Sequence, residues 1–405
     1  VQLTLSAHDI GSQARTLHRI CRLAGSVENE LLTLPDSLIA YLVMVLRQKP
    51  FPAPDCTEED WNRFLELLAP HWISAVLYRY IRDFPDECHP PDAVMTVLHY
   101  SWLHAGMQTL KAGRQAKRVI GALEAEGIRV LLLKGPALAR TVYPAAAMRQ
   151  GSDIDLLIPY DDMKRCEQVM AELGYTCFFR AAEHSPHTGH HQVFYPGAEG
   201  IGPFGVEVHW KLDCGFGLLP DSFVDEVFSR SIRVEADDIT FSTLSMEDHL
   251  LYQASHMACQ HCHATRLSWI CDIAMLSEQI PDTVGWEDLL VLSVGRNCRL
   301  SLEAAVQMAR FWTGLTLPQE VRDTALWPKP GTVEEEVRGL AMRRGESIPS
   351  SIRLMIRTIP DTRGKLWFLF RFVFPHPDAM YYYRSGRGRP GLLAAYVRRW
   401  LQVFR

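Results

Sequence analysis

Asp153 and Asp155 stand one residue apart in GSDIDLLIP (151–159), a stretch that otherwise reads as a buried strand. In a β-strand, residues i and i+2 project from one face, so the two carboxylates share a face while Ile154 and Leu156 turn toward a core. The Cα atoms of such a pair lie about 6.5–7 Å apart, a separation at which the side chains can hold divalent ions roughly 3.5–4 Å from one another. Like charges so close need a cation. A third carboxylate on a neighbouring strand completes the cage. Glu207 is the candidate, because GVEVHWKL (205–212) alternates, with Glu207, His209 and Lys211 on one face and Val208, Trp210 and Leu212 on the other. A bare D-x-D is commonly a solvated turn or surface strand. Here Gly151-Ser152 precede it, apolar residues surround it and a Lys-Gly junction lies upstream, which favours the metal-binding reading.

That junction ends the apolar run VLLLKG (130–135), and Pro136 suits the first position of a helix over PALARTVY (136–143). A helix N-terminus at the strand edge offers free N–H groups to a phosphate. Gly135 permits close approach, while Lys134 or Arg149 can neutralise the charge on a leaving pyrophosphate. Metal ions, a triphosphate cradle and a third acid together specify in-line attack on phosphorus.

The elements that must position these groups follow from periodicity. Residues 1–115 carry helix-length apolar patterns broken by proline-rich segments and form a helical N-terminal region. An α/β core over 116–244 starts with a helix in KAGRQAKRVIGALEAEGI (111–128) that ends at Gly127, followed by the Leu-rich strand. DDMKRCEQVMAELGY (161–175) reads as an amphipathic helix stopping at Gly174, and TCFFR (176–180) and VFYP (193–196) as strands. SIRVEADDITFSTL (231–244) reads as a hairpin turning at Asp237-Asp238, and SMED (245–248) as a capping box opening a helical C-terminal region over 245–405. The expected fold class is α+β, a small mixed sheet flanked by helical regions.

Composition bounds the partners. A net charge of −5 gives no general attraction to nucleic acid or anionic lipid. The longest apolar runs, 38–46 and 366–374, fall short of the roughly 20 residues a spanning helix needs. Ten scattered cysteines read as reduced thiols, and the first ten residues lack a signal-peptide pattern, so a cytoplasmic location is expected.

The string LLLKGPALARTVYP (131–144), then Arg149, SDIDLLIP (152–159) and VEVHW (206–210), resembles the polymerase-β-type nucleotidyltransferase superfamily and, more closely, its bacterial nucleotidyltransferase family 5 group. HMACQHCHATRLSWICDIAML (256–276) and the segment 374–400 resemble further parts of that family. The resemblance implies Asp153, Asp155 and Glu207 as catalytic metal ligands, Mg²⁺ or Mn²⁺ as cofactor, and an NTP, by superfamily habit ATP, as donor. Gly135 precedes Asp153 by 18 residues, longer than the superfamily's usual interval, so Gly151 and Ser152 are expected to share the phosphate binding. The acceptor is left open among a natural product, a peptide and a sugar. A protein-modifying, antitoxin-like adenylyltransferase, which would need a protein partner, and a catalytically silent nucleotide- or peptide-binding adaptor are the alternatives.

The His/Cys cluster at 256–263 lacks a second ligand pair at zinc-finger spacing, and core packing accounts for it better. Arg266, Trp269 and Asp272 fall on one helical face, as an internal ion pair beside an aromatic or as cleft lining. His209 shares the face of Glu207, which suits a supporting or general-base role, and His190 and His191 are candidates for substrate contact. The basic C-terminus, from Arg384, reads as a solvated helical face.

Overall fold

The computed structural model describes residues 31–177 apart from 32, then 190–198, 201–212, 223–236, 239–260, 265–336, 356, 359, 362–375, 380 and 391–403. The fold is α+β. Helices α1 (Asp36–Leu46), α2 (Glu58–Leu68) and α3 (Ser74–Ile81) precede a 34-residue helix, α4 (Asp92–Ala125). Pro91 immediately before α4 suits a helix start, since its missing N–H would have no intrahelical partner. At the other end Gly127 adopts φ +72°, and the N–H groups of Gly127 and Ile128 close back on Glu124 and Leu123. The helix expected over 111–128 is therefore the C-terminal part, nearly half, of a much longer one that crosses residue 115. The proline breaks upstream marked its start, and the sequence carries no break within it.

The sheet has the order β1-β2-β5-β4-β3, formed by β1 (Leu131–Leu132), β2 (Asp153–Leu157), β3 (Tyr175–Cys177), β4 (His191–Pro196) and β5 (Gly205–His209). Strands β2 and β5 run parallel, and the other pairs are antiparallel. Between β1 and β2 lies α5 (Lys134–Thr141), and α6 (Met163–Glu172) follows β2. Helix α5 starts at Lys134, so Pro136 sits within its first turn instead of opening it. Strand β4 begins two residues before the expected run, and the expected TCFFR strand is described only to Cys177.

Alternation sorts the sheet into two faces. Ile154, Leu156, Val206, Val208 and Phe194 pack against Ala116, Val119, Ile120 and Leu123 of α4 and Met163, Cys166 and Met170 of α6. Burying each of the larger aliphatic side chains contributes about 1.5–3 kcal/mol, which holds β2 and β5 in register. The opposite face carries the polar residues. After α7 (Phe223–Ser229), a hairpin pairs β6 (Ile232–Glu235) with β7 (Thr240–Thr243), and its expected turn at 237–238 lies outside the described residues.

Helices α8 (Met246–Ser255), α9 (Leu267–Ser277), α10 (Thr283–Gly295) and α11 (Arg299–Thr313) follow. As the SMED reading required, Ser245 caps α8 by accepting the Asp248 N–H at 3.2 Å. The Asp248 carboxylate does not reach back in a full capping box; it binds Arg230 and Arg296. A second large core joins α1–α3 to α8, α9 and α11, and takes in Leu138, Val142, Tyr143 and Met148 from the segment around α5. Two further helices, α12 (Thr362–Val373) and α13 (Leu392–Val403), lie toward the C-terminus. No helix among the described residues is long and apolar enough to cross a membrane.

Candidate active site

The parallel pairing of β2 with β5 sets Asp155 directly beside Glu207 and Leu157 beside His209, while His191 on β4 lies opposite His209. Asp153, Asp155, Glu207, His209 and His191 therefore share one face. They open onto a cavity of about 410 Å³, whose wall also includes Lys134 and Gly135 from α5, Arg149, Gly151 and Ser152 from the loop before β2, and His190. The far wall comes from the helical regions: Trp72, His256, Arg266 and Trp269. All the residues singled out from the sequence reach this cavity except Asp272, which stands behind it.

The cation required by the close carboxylates is supplied in part by the protein. Lys134 Nζ lies 2.7 Å from Asp155 Oδ1, and His209 Nε2 lies 3.0 Å from the same oxygen. Because an ionised carboxylate only accepts, Nε2 carries the proton in this arrangement. Asp155 is almost wholly buried; burial alone would raise its pKa, but Lys134 and His209 outweigh that and hold it far below the ordinary carboxylate value. Glu207 is also lowered, chiefly by His209, whose Nε2 is 3.6 Å from Glu207 Oε2. Asp153 goes the other way: burial, then repulsion from Asp155 and Glu207, push it up to about 6. Asp155, Glu207 and His209 each offer one ligand atom, and these three atoms lie within 4.8 Å of one another.

Lys134 reaches Asp155 from an unusual backbone. Its φ is +46°, a left-handed conformation that a residue with a Cβ adopts at a cost. Its N–H is held by His249 Nε2 at 3.2 Å. Gly135 follows, and a Cβ there would sit 3.7 Å from both Gly151 Cα and Arg149 Nη1, so the turn lies against the loop that leads into β2. Of the N–H groups in the first turn of α5, that of Lys134 is spent on His249 and Pro136 has none.

Arg149 is buried and committed. Its Nε and Nη2 bind both oxygens of Asp272 at 2.7–3.0 Å, and Nη1 donates to the Gln150 carbonyl. Asp272 also accepts from Tyr143 Oη at 2.7 Å and Gln253 Nε2 at 3.1 Å. Arg266 does not pair with Asp272. It precedes α9 in an extended conformation (φ −99°, ψ 143°), so the three-residue spacing that would align it with Trp269 and Asp272 on a helix does not apply. Its guanidinium instead lies 4.0 Å from the Trp72 ring centroid and 5.2 Å from that of Trp269.

The imidazoles form a second group. His190 and His191 have ring centroids 4.3 Å apart, and His191 and His209 5.1 Å. Burial first, and then neighbouring imidazoles, push His190 down to about 3 and His191 to about 4. Of the His/Cys cluster at 256–263, His256 is buried edge-on to Trp269 at 5.3 Å, and residues 261–263 lie outside the described residues. Sequence reasoning missed Trp72 and His249. Neither carries a local signal, since each meets the site only through packing of elements distant in the chain.

A mixed sheet that lines up two acids and an imidazole as a potential metal-ligand group, at the floor of a cavity with cationic side chains in its wall, defines a site suited to phosphate chemistry. The family model described as an uncharacterised nucleotidyltransferase matches residues 57–314, more than half of the chain, and the protein belongs to that family. No curated protein matches the chain.

Proposed function

We propose that the protein transfers a nucleoside monophosphate from a metal-bound NTP, by default ATP, to an acceptor hydroxyl or phosphate on a small molecule, peptide or sugar. The observation that carries this reading is the in-register pair Asp155 and Glu207 with His209 beside it, facing the cavity in a chain of the nucleotidyltransferase family. In the reaction, an acceptor oxygen bonds to the α-phosphorus, the bond to the β-phosphate oxygen breaks, and pyrophosphate leaves.

The donor set fits a divalent ion: Asp155 and Glu207 are held ionised, and His209 would add an imidazole nitrogen on giving up the Nε2 proton that it shares with Asp155 when no ion is bound. Asp153, two residues upstream on the same face, extends the set. An ion bound there would polarise the α-phosphate and acidify the acceptor hydroxyl. Two carboxylates with an imidazole accommodate Mn²⁺ more readily than Mg²⁺, which prefers oxygen ligands. The protein's own contribution is charge and position. Lys134 keeps Asp155 anionic and fixed and places an ammonium where negative charge develops on the phosphates. The buried Arg149–Asp272 pair anchors the loop that carries Gly151 and Ser152.

Calorimetric titration of the four NTPs, with Mn²⁺, with Mg²⁺ and without metal, into wild type and the Asp153→Ala/Asp155→Ala double variant tests this. Metal-dependent binding of an NTP that disappears in the variant is expected. Metal-independent binding, or binding that survives the double substitution, would remove the metal-site reading.

A further inference from the structure

We propose that Arg266, held between Trp72 and Trp269, is a second phosphate-binding point in the cavity, for a phosphate-bearing substrate that also reaches Asp153, Asp155 and Glu207. The proposal rests on the nucleotidyl-transfer reading for its substrate class, but on separate observations for the site.

The first is the state of the cavity's cations. Lys134 is bound to Asp155 and Arg149 to Asp272, whereas Arg266 makes neither a salt bridge nor a side-chain hydrogen bond among the described residues and feels Asp153 only through space. The buried arginines Arg296 and Arg299, by contrast, are each matched to an acid. An arginine half withdrawn from water without a directly paired anion is positioned to receive one.

The second is how Arg266 is held. Two indoles contact its guanidinium at 4.0 and 5.2 Å. Aromatic contact favours the cation through the ring faces and leaves in-plane N–H groups for phosphate oxygens, the geometry that arginine uses in bidentate anion recognition.

The third is backbone strain. Trp72 adopts φ +55°, ψ 39°, a left-handed conformation exceptional for so large a side chain. Its own N–H closes on the Ala69 carbonyl, and its neighbour His71, fully buried, accepts through Nδ1 the N–H of Leu267, the residue after Arg266. One hydrogen bond thus ties the residue before the strained tryptophan to the residue after the arginine it covers.

The fourth is need. The start of α5, which the sequence offers as the phosphate cradle, has its Lys134 N–H bound to His249 and no N–H at Pro136. A triphosphate or a phosphorylated acceptor requires donors from elsewhere in the cavity.

Calorimetry on the full chain tests the proposal with tripolyphosphate, ATP and AMP, each with Mn²⁺, against wild type, Arg266→Met and Arg266→Lys, with melting temperatures as the folding control. Wild type is expected to bind tripolyphosphate, and both variants to weaken it about tenfold or more without a change in melting temperature, because lysine lacks the planar fork. An equal loss for ATP, with AMP unaffected, places the contact on the donor's outer phosphates. Unchanged ATP affinity, with Arg266-dependent binding of inorganic phosphate to the ATP-saturated protein, places it on the acceptor. Arg266-dependent tripolyphosphate binding without any ATP binding by wild type sinks the nucleotidyl reading and leaves the phosphate site standing. Wild-type affinities in both variants for every titrant, or no binding of any phosphate compound by wild type, overturn the proposal.

Discussion

Asp272 and His249 do not line the cavity, yet each fixes a residue that does. Asp272 is completely buried and accepts from Arg149, Tyr143 and Gln253. Removing one partner of a buried ion pair leaves the other charge uncompensated, so Asp272→Ala is expected to lower unfolding free energy by about 3–5 kcal/mol. Urea denaturation measures this; a loss below about 1 kcal/mol would mean that water reaches Arg149. His249 bears on pH. Burial, with Arg149 and Lys134 nearby, pushes its pKa from 6.5 down to about 3, so the imidazole stays neutral in the folded chain. The unfolded chain takes up a proton below about pH 6.5. This group's contribution to stability is therefore complete above that pH and is lost as pH falls toward 3. His249→Gln, which keeps an acceptor for the Lys134 N–H, should flatten the stability profile between pH 4 and 6 by about 1.4 kcal/mol per pH unit. Parallel profiles for wild type and variant would show that His249 is not held neutral.

At the scale of elements, the junction between β1 and α5 joins strain to charge. Lys134 has a left-handed φ, for which glycine is the relaxed choice, but only a long cationic side chain reaches Asp155 from that position. Both Lys134→Ala and Lys134→Gly delete the ammonium, and glycine alone relieves the backbone. Lys134→Gly should therefore be more stable than Lys134→Ala by about 1 kcal/mol, read from paired thermal or urea melts. Equal stabilities would mean that the strained turn relaxes once the lysine is gone.

For the molecule as a whole, the site lies where two cores meet. Helix α4 gives Val94 and Leu98 to the helical core and Ala116, Val119 and Leu123 to the core beneath the sheet. Leu138, Tyr143 and Met148 from the α5 segment are buried among helices far away in sequence, and Arg149 and Lys134 take partners from α9 and α8. The segment 116–244 alone would expose those side chains and strand the Arg149 charge. It is expected to show no cooperative thermal transition, in contrast to the full chain, when followed by circular dichroism. A sharp transition in the fragment would establish an independently folding core.

The sequence alone determined what local periodicity encodes. The D-x-D alternation put Asp153 and Asp155 on one face, and the alternation of VEVHW placed Glu207 and His209 together on theirs, because side-chain direction in a strand repeats every two residues. Helix ends at Gly127 and Gly174 and the cap at Ser245 were legible for the same reason: turn and cap chemistry spans only a few residues. Tertiary structure decided which charge meets which. Lys134 closes on Asp155 across 21 positions, Arg149 on Asp272 across 123, and His71 on Leu267 across 196. It also placed His209 within the potential ligand group and turned Arg266 away from Asp272 toward Trp72. No spacing rule reaches across such separations, because these pairings depend on how whole helices pack against the sheet and on which buried charges remain to be neutralised there.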